Sequence, residues 1–320
     1  MELYQLNMYG YVSDNLEILQ DEIPSFQKLV ADGVERHKAA TLKAYPDDLI
    51  DLLIKYENNQ YGLPPLLAAI RERDERAVRM FLEHGADPNA KWNGGVDDGI
   101  YFTPFFALDY AAAFGTSKIV EILIDRGATL THEKTKGKEY QSAIFYAAMN
   151  NNVDTLKTLI SRGASPLDSS GSLGTALHAA VVFGSSDAVK YLLSVWIYPD
   201  ILSINGLTPI GTVFVYGAQG GDVIGSIEAL LRAGAKPNIK TDGNGWTYLH
   251  SLAWHVHNNP WNIKSSDQLA QLLIKYGADV NAEDSNGHTP LFYMKNVGGR
   301  PSEESKRLIA MLETSGAKAK

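Results

Sequence analysis

Apolar residues recur at fixed distances before five glycines of the chain. Two lie three and four positions before the glycine and a third lies seven positions before it, as Val78, Phe81 and Leu82 do before Gly85. These offsets fall on one stripe of a helix, and glycine readily takes the left-handed conformation that closes a helix. The pattern therefore predicts five helices, including 119–124 and 269–274, that end at Gly85, Gly127, Gly163, Gly234 and Gly277.

Three further copies of the pattern lack the glycine and point to Glu57, Trp196 and Ser315. Because a residue with a Cβ resists the left-handed conformation, we expect the helix before Trp196 to end differently and its loop to depart from the Gly234 loop. We expect Trp196 and Tyr198 to fill a gap between neighbouring copies of the pattern. An exposed apolar edge is the alternative.

A second signature stands before seven of these helices, all except the one that points to Glu57, as in Thr208-Pro-Ile-Gly and Thr289-Pro-Leu-Phe. A threonine hydroxyl can cap a helix start, proline is tolerated in the first turn, and the alanines found in other copies let helices approach closely. The sequence therefore predicts a first helix before each second helix, and so seven helix pairs.

These residues resemble the ankyrin repeats, a family with a TPLH-type helix start and a second helix that ends in Gly-Ala-Asp-x-Asn-Ala. The segment Gly277-Ala-Asp-Val-Asn-Ala282 matches that pattern, and Gly85-Ala-Asp-Pro-Asn-Ala90 is close to it. The resemblance implies an all-α ankyrin-repeat solenoid with hairpin-like loops. We expect a helical N-terminal cap over 1–60. The ankyrin-repeat domain then covers 61–320, with repeats at 61–91, 102–133, 140–168, 173–203, 206–240, 245–284 and 287–317.

Most repeats exceed the family period of about 33 residues because they carry polar or glycine-rich insertions. One of them, 217–225, is Gly-Ala-Gln-Gly-Gly-Asp-Val-Ile-Gly. It lacks the Lys-Ser/Thr of a phosphate-binding loop, so we expect a flexible insertion. Another, Gly94-Gly-Val-Asp-Asp-Gly99, lacks the ligand spacing of a calcium loop. Insertions of this kind bear on the choice of partner.

Composition narrows the class of protein further. The chain of 320 residues has no cysteine and a net charge of −8 at pH 7. The absence of cysteine excludes disulfides, thiolate zinc sites and thiol nucleophiles and indicates a cytoplasmic protein. The negative net charge disfavours nucleic acid as a partner, because binding to backbone phosphates requires a basic face. No signal peptide or membrane segment is expected, since every apolar run is short.

The polar residues offer no convincing catalytic or metal site. His255-x-His257 suggests a metal, but the sequence supplies no further ligands, and the motif histidines His178 and His250 typically bond to a loop in the family. No G-x-S-x-G elbow appears. We therefore expect neither metal nor cofactor and no enzymatic activity; an active site assembled from distant residues is the alternative.

We expect a monomer that binds a protein partner through its concave groove and loop tips, as a stoichiometric inhibitor or an immunity-type binder. The alternative is a recognition or adaptor arm of a larger assembly, such as a host-directed effector. In the family, partner contacts concentrate after the loop glycine and near the end of the first helix. The resemblance implies these contact residues here: Trp246, Trp254, His255, Tyr216, Val215, Leu207, Phe183, Met149, Phe114 and Phe105.

Overall fold

A computed structural model describes residues 63–92, 105–131, 142–169, 173–240, 243–258, 266–296 and 302–320, together with helical positions 48, 51, 52 and 55. The expected N-terminal cap over 1–60 lies outside the described residues except at those four positions.

Seven helix pairs follow one another in the described part of the chain, as the sequence predicts. The first two pairs are α1 (Pro65–Arg71) with α2 (Glu75–Glu83), and α3 (Ala107–Phe114) with α4 (Ser117–Asp125). The other five are α5 (Ala143–Met149) with α6 (Val153–Ser161), α7 (Ala176–Val182) with α8 (Ser186–Ser194), α9 (Pro209–Tyr216) with α10 (Val223–Arg232), α11 (Tyr248–Asn258) with α12 (Ser266–Lys275), and α13 (Pro290–Asn296) with α14 (Glu303–Thr314). A short antiparallel pair, β1 (Lys91–Trp92) and β2 (Phe105–Phe106), joins the loop before α3 to the loop after α2.

The chain forms two compact units. One comprises Met1–Ala143 and Lys157–Ala164, and the other Ile144–Leu156 and Ser165–Lys320. In the second unit the first helices of successive pairs pack in one row, α7 on α9, α9 on α11 and α11 on α13, while α8, α10, α12 and α14 pack in another. The first unit has the same two layers, with α1 on α3 and α2 on α4.

Burial follows the sequence pattern. Every residue of α7 is buried, because its small and aliphatic side chains lie between neighbouring helices. The second helices are amphipathic; in α8 only Ala188, Val189 and Leu192 are buried. Threonine caps are present at two of the predicted first-helix starts, since Thr208 Oγ1 accepts a hydrogen bond from the Gly211 amide at 3.0 Å and Thr289 Oγ1 accepts one from the Phe292 amide at 3.4 Å. The hydroxyls of Thr175 and Thr247 instead lie 2.9 Å from Nδ1 of His178 and His250.

All five predicted glycines lie two residues after the last residue of a second helix and have φ between 92° and 97°, which confirms their role. Trp196 also takes the left-handed conformation, with φ 67°, so the reason given for a different helix end is wrong. The end of α8 does differ, because the bond that the Ala235 amide donates to the Leu230 carbonyl after Gly234 has no counterpart between Ile197 and Leu192. The expected packing of Trp196 and Tyr198 is wrong, because both side chains are exposed. A Cβ added at the equivalent Gly234 meets nothing within 4 Å, so only the backbone preference of about 1–2 kcal/mol opposes a side chain there.

An asparagine four residues after the helix-ending glycine ties successive loops together. Asn238 Nδ2 donates to the Gly277 carbonyl at 2.9 Å, and the Asp279 amide donates to Asn238 Oδ1 at 2.8 Å. The same pair of bonds joins Asn89 to the loop of Gly127, and Asn281 to Gly316 and Lys318. We call this arrangement the asparagine bridge.

The glycine-rich insertion after α9 is held in place, contrary to the expectation of flexibility. The Gln219 amide donates to the Val182 carbonyl at 2.9 Å, and the Asp222 amide donates to the Gly184 carbonyl at 2.8 Å. A Cβ on Gly184 would lie 2.4 Å from the Asp222 nitrogen, so the two backbones pack without intervening side chains. The insertion beginning at Gly94 lies outside the described residues.

Candidate protein-binding surface

The two motif histidines bind loops, as the sequence indicates. Nδ1 of His178 accepts a hydrogen bond from the Thr175 amide at 3.1 Å, and Nε2 donates to the Leu207 carbonyl at 3.0 Å. His250 makes the same contacts with Thr247 and with the carbonyl of His288. Burial lowers the pKa of His178 to about 4, although the bond to Leu207 opposes that shift. Both ring nitrogens are therefore occupied by structural bonds.

No group of three or more histidine, aspartate or glutamate side chains within the described ranges is placed to hold a metal ion. The side chain of His257, half of the His255-x-His257 motif, lies outside the described residues. Within those same ranges, no helix is long and apolar enough to cross a membrane.

An aromatic cluster occupies the repeat built on α11. The Trp246 and Trp254 rings lie 5.5 Å apart between centroids, and Tyr293 from α13 lies 5.0 Å from Trp246 and 6.3 Å from Trp254. The Tyr293 hydroxyl donates to Asp284 at 2.5 Å, which fixes the ring. Trp246 and Tyr293 are half-buried and Trp254 is 36% exposed, so the cluster presents part of one indole to solvent from a rigid base.

Tyr293 was not identified from the sequence. It occupies the position that Ser251 has in the preceding repeat, and this exchange of a small side chain for a large ring is the signal that was available. The residue completes the cluster because α11 and α13 pack side by side.

His255 lies beneath this surface more than on it. Its ring stacks on Phe214 of α9 at 6.2 Å between centroids, and its buried Nδ1 has no hydrogen-bond partner. Burial lowers the pKa of His255, and a hydrogen bond to the Phe214 backbone opposes that effect. The imidazole is thereby held neutral as part of the packing between α9 and α11.

The predicted contact residues of α9 are accessible to different degrees. Val215 is exposed, and Tyr216 and Leu207 are half-buried. Because α9 packs directly against α11, Val215 and Trp254 come from neighbouring first helices of the second unit.

The other four predicted contact residues differ in setting. Phe183, at the end of α7, is half-buried, and Met149 is only 6% exposed, which leaves its side chain little surface to offer a partner. Phe114 belongs to the first unit, where its ring contacts Tyr110 at 4.7 Å and the Arg71 guanidinium lies 4.3 Å from its centroid. Phe105 lies in β2, and its side chain is outside the described residues.

Comparisons with known proteins agree with this architecture. A family model for ankyrin repeats in three copies matches residues 108–203, and a model for a single ankyrin repeat matches 61–93 and 244–285. The matches together span more than half of the chain, which therefore belongs to the ankyrin-repeat family. Ankyrin repeats are generally protein-interaction modules, and the fold is typically non-enzymatic.

Relatives with these repeats are longer proteins. The chain is 23% identical to the human transient receptor potential cation channel subfamily A member 1 over 75% of its own length and 23% of the relative's. It is 23% identical to putative ankyrin repeat protein L371 of Acanthamoeba polyphaga mimivirus, over 83% of this chain and 32% of the viral protein. The chain therefore spans less than a third of either relative.

Solved structures show the same fold. The human ASB11 ankyrin repeat domain aligns with a TM-score of 0.56 and 18% identity, over 77% of this chain and 97% of that domain. The ankyrin repeat domain of Bcl-3, a member of the IkappaB protein family, aligns with a TM-score of 0.54 and 21% identity, over 79% of this chain and all of that domain. At these identities the likeness establishes the all-α ankyrin solenoid and nothing about partners.

Proposed function

We propose that the chain binds a protein partner through the surface formed by Trp254 and Val215, with Trp246 and Tyr293 as its rigid base. The observation that carries this proposal is the exposed indole of Trp254 on two half-buried rings. Aromatic anchors that are already ordered lose little side-chain entropy on binding and dominate the energetics of protein interfaces. Leu207, Tyr216 and His255 support the same surface from the neighbouring helix and loop.

The proposed role is that of a stoichiometric binder, such as an inhibitor or an immunity-type protein, located in the cytoplasm. The absence of cysteine supports this location. A second candidate is the recognition arm of a larger assembly. It is supported by the relatives, in which the matching region is 23% to 32% of a longer chain.

The experiment compares two baits that differ in one exposed side chain. Wild type and Trp254→Ala are used to purify partners from the native host, and quantitative mass spectrometry identifies proteins that the variant loses. The control is Lys190→Ala on the exposed side of α8, which should retain every partner. A lost partner, once purified, should bind Trp254→Ala roughly tenfold or more weakly than wild type.

Identical partner sets and affinities for wild type and Trp254→Ala would refute the surface. Trp246→Ala is not used as the main probe because its ring packs on Tyr293. A purified complex that silences the partner's activity supports the stoichiometric binder, whereas simultaneous binding of a third component supports the recognition arm.

A further inference from the structure

A second apolar surface lies away from the α11 cluster, in the loop after α8. Trp196 is 95% exposed and Tyr198 is 56% exposed, and Ile204 further along the same loop is 71% exposed. From Ser194 to Leu207 the only charged residue is Asp200, and Asp200 is buried. This loop therefore presents an uncharged apolar surface to solvent in a chain of which 21% is charged.

The preceding loop extends that surface. Leu167 lies four residues after Gly163, the position that Asn89, Asn238 and Asn281 hold in their own loops. Those asparagines reach the next loop at its glycine position and two residues beyond it, which here are Trp196 and Tyr198. Leu167, 54% exposed, thus places an apolar side chain at the register position from which an asparagine bridges to the next loop elsewhere.

The fold gains little from this arrangement. Trp196 holds a left-handed backbone that disfavours any residue with a Cβ, and its ring is almost entirely in water. A glycine at this position would close α8 without strain, as Gly234 closes α10. Strain combined with an unburied indole indicates that the ring acts on something outside the chain.

Charged residues on the next loop indicate the chemistry of a partner that would bind this surface. Between residues 228 and 240 three exposed cations, Arg232, Lys236 and Lys240, stand beside one acidic residue, Glu228. The Lys236 amide is bonded to Asp200, so this basic rim directly adjoins the apolar loop. A partner that covers both parts needs an apolar pocket for the indole and carboxylates opposite the cations.

We propose that Leu167, Trp196 and Tyr198 form a second docking site, which inserts the Trp196 indole into an apolar pocket on a protein whose pocket rim is acidic. A second copy of this chain fits less well, because a symmetric contact would bring two basic rims together. A bilayer also fits less well, because the net charge of −8 opposes approach to anionic lipid.

The test begins with a photo-crosslinking amino acid at position 198, which leaves Trp196 intact, and the same group at position 190 as control. The full chain is irradiated in extract from the native host, and any protein captured at 198 but not at 190 is purified. Its affinity is then measured for wild type, Trp196→Gly, Trp254→Ala and the double variant Arg232→Gln with Lys236→Gln.

The expected result is a loss of roughly tenfold or more in affinity for Trp196→Gly, with unchanged affinity for Trp254→Ala. The double variant should bind several-fold more weakly at low salt, and its affinity should depend less on salt than that of wild type. Trp196→Gly should remain folded, which its thermal midpoint checks. The Trp254→Ala result separates this site from the proposed α11 surface.

Four outcomes would overturn the proposal. If position 198 captures no protein beyond those captured at position 190, the proposed partner does not exist. If it captures a second copy of the chain, the surface is a self-association site. Binding to phosphatidylcholine–phosphatidylserine vesicles that Trp196→Gly abolishes makes it a membrane contact. Equal affinity of the captured protein for wild type and Trp196→Gly removes the role of the indole.

Discussion

At the scale of single residues, Asp200 is an imperfect substitute for the bridging asparagine. Its two carboxylate oxygens accept the Lys236 amide at 3.1 and 3.3 Å, but an ionised carboxylate has no hydrogen to donate to the Gly234 carbonyl. Burial raises the pKa of Asp200, while hydrogen bonds from Lys236 and Tyr198 offset part of that rise. The loop therefore carries a buried negative charge where the next loop carries the neutral amide of Asn238.

Asp200→Asn should stabilise the protein by about 1 kcal/mol at pH 7, because the amide can accept from Lys236 and donate to Gly234. Urea unfolding at pH 7 measures this difference. Asn238→Asp is the matched control and should lower stability by a similar amount. A less stable Asp200→Asn variant would show that the carboxylate itself is required.

The raised pKa of Asp200 also determines how the contribution of this group to folding stability changes with pH. Between the ordinary aspartate value of 3.8 and the raised value, the folded state binds more protons at Asp200 than the unfolded state does. This group therefore destabilises the fold at neutral pH, and that destabilisation is relieved as the pH falls through the window. Asp200→Asn should lack this contribution.

His178 should act in the opposite direction. Its pKa is about 4 in the folded protein and 6.5 ordinarily, so the unfolded chain binds the proton first. Stability is full above pH 6.5 and should fall by about 3 kcal/mol from this group as the pH drops to about 4. Urea unfolding of wild type and His178→Gln at intervals of half a pH unit checks this prediction. The slope of unfolding free energy against pH should show that the variant takes up nearly one proton less than wild type on unfolding between about pH 4 and pH 6.5. Equal slopes would contradict the prediction.

At the scale of elements, the glycine-rich insertion after α9 depends on the turn between α7 and α8. Gly184→Ala would place a Cβ 2.4 Å from the Gly220 carbonyl oxygen and the Asp222 nitrogen, at a residue with φ 66°. We expect a loss of about 2–3 kcal/mol in unfolding free energy. Gly206→Ala is the control, because Gly206 has φ 73° and open space around a Cβ, and it should lose only about 1 kcal/mol.

Thermal and urea unfolding of the two alanine variants separate the steric effect from the backbone preference. Limited proteolysis adds a local readout, since Gly184→Ala should expose residues 217–222 to cleavage if the insertion detaches. Equal destabilisation by both substitutions would show that the close backbone packing contributes nothing.

The helix pairs were predictable because their signals are local. A stripe of apolar residues and a closing glycine specify each second helix within about ten residues, as at Gly277. The conformation of Trp196 was not predictable in this way, since it depends on the loop geometry that the repeat imposes. Tyr248 illustrates the same limit, because its hydroxyl lies 2.6 Å from the Thr208 hydroxyl of the preceding repeat. In that preceding repeat, Gly211 stands where the motif has a histidine.

The candidate surface was predictable to a similar extent. Register alone placed Trp246 and Trp254 together, because both positions recur in every repeat. It could not show that Met149 is buried or that Tyr293 completes the cluster, because both facts depend on the size of neighbouring side chains. The sequence did not single out Leu167 as a surface residue of interest. Its position acquires meaning only once the asparagine bridges of the other loops are known.

At the scale of the whole molecule, asparagine bridges couple neighbouring repeats, and they occur in only some of the described loops. The last three repeats are joined by complete bridges at Asn238 and Asn281. Residues after α14 bond back to the start of α13, because the Thr289 hydroxyl donates to the Lys318 carbonyl and the Thr289 amide to that of Lys320. In a one-dimensional array each interface contributes separately to stability. The loop at Asp200 lacks one bond of that bridge, but the repeats on either side of it are also joined by the bonds from the Gln219 amide to Val182 and from the Asp222 amide to Gly184. The glycine-rich insertion thus supplies at this loop the coupling that an asparagine supplies elsewhere.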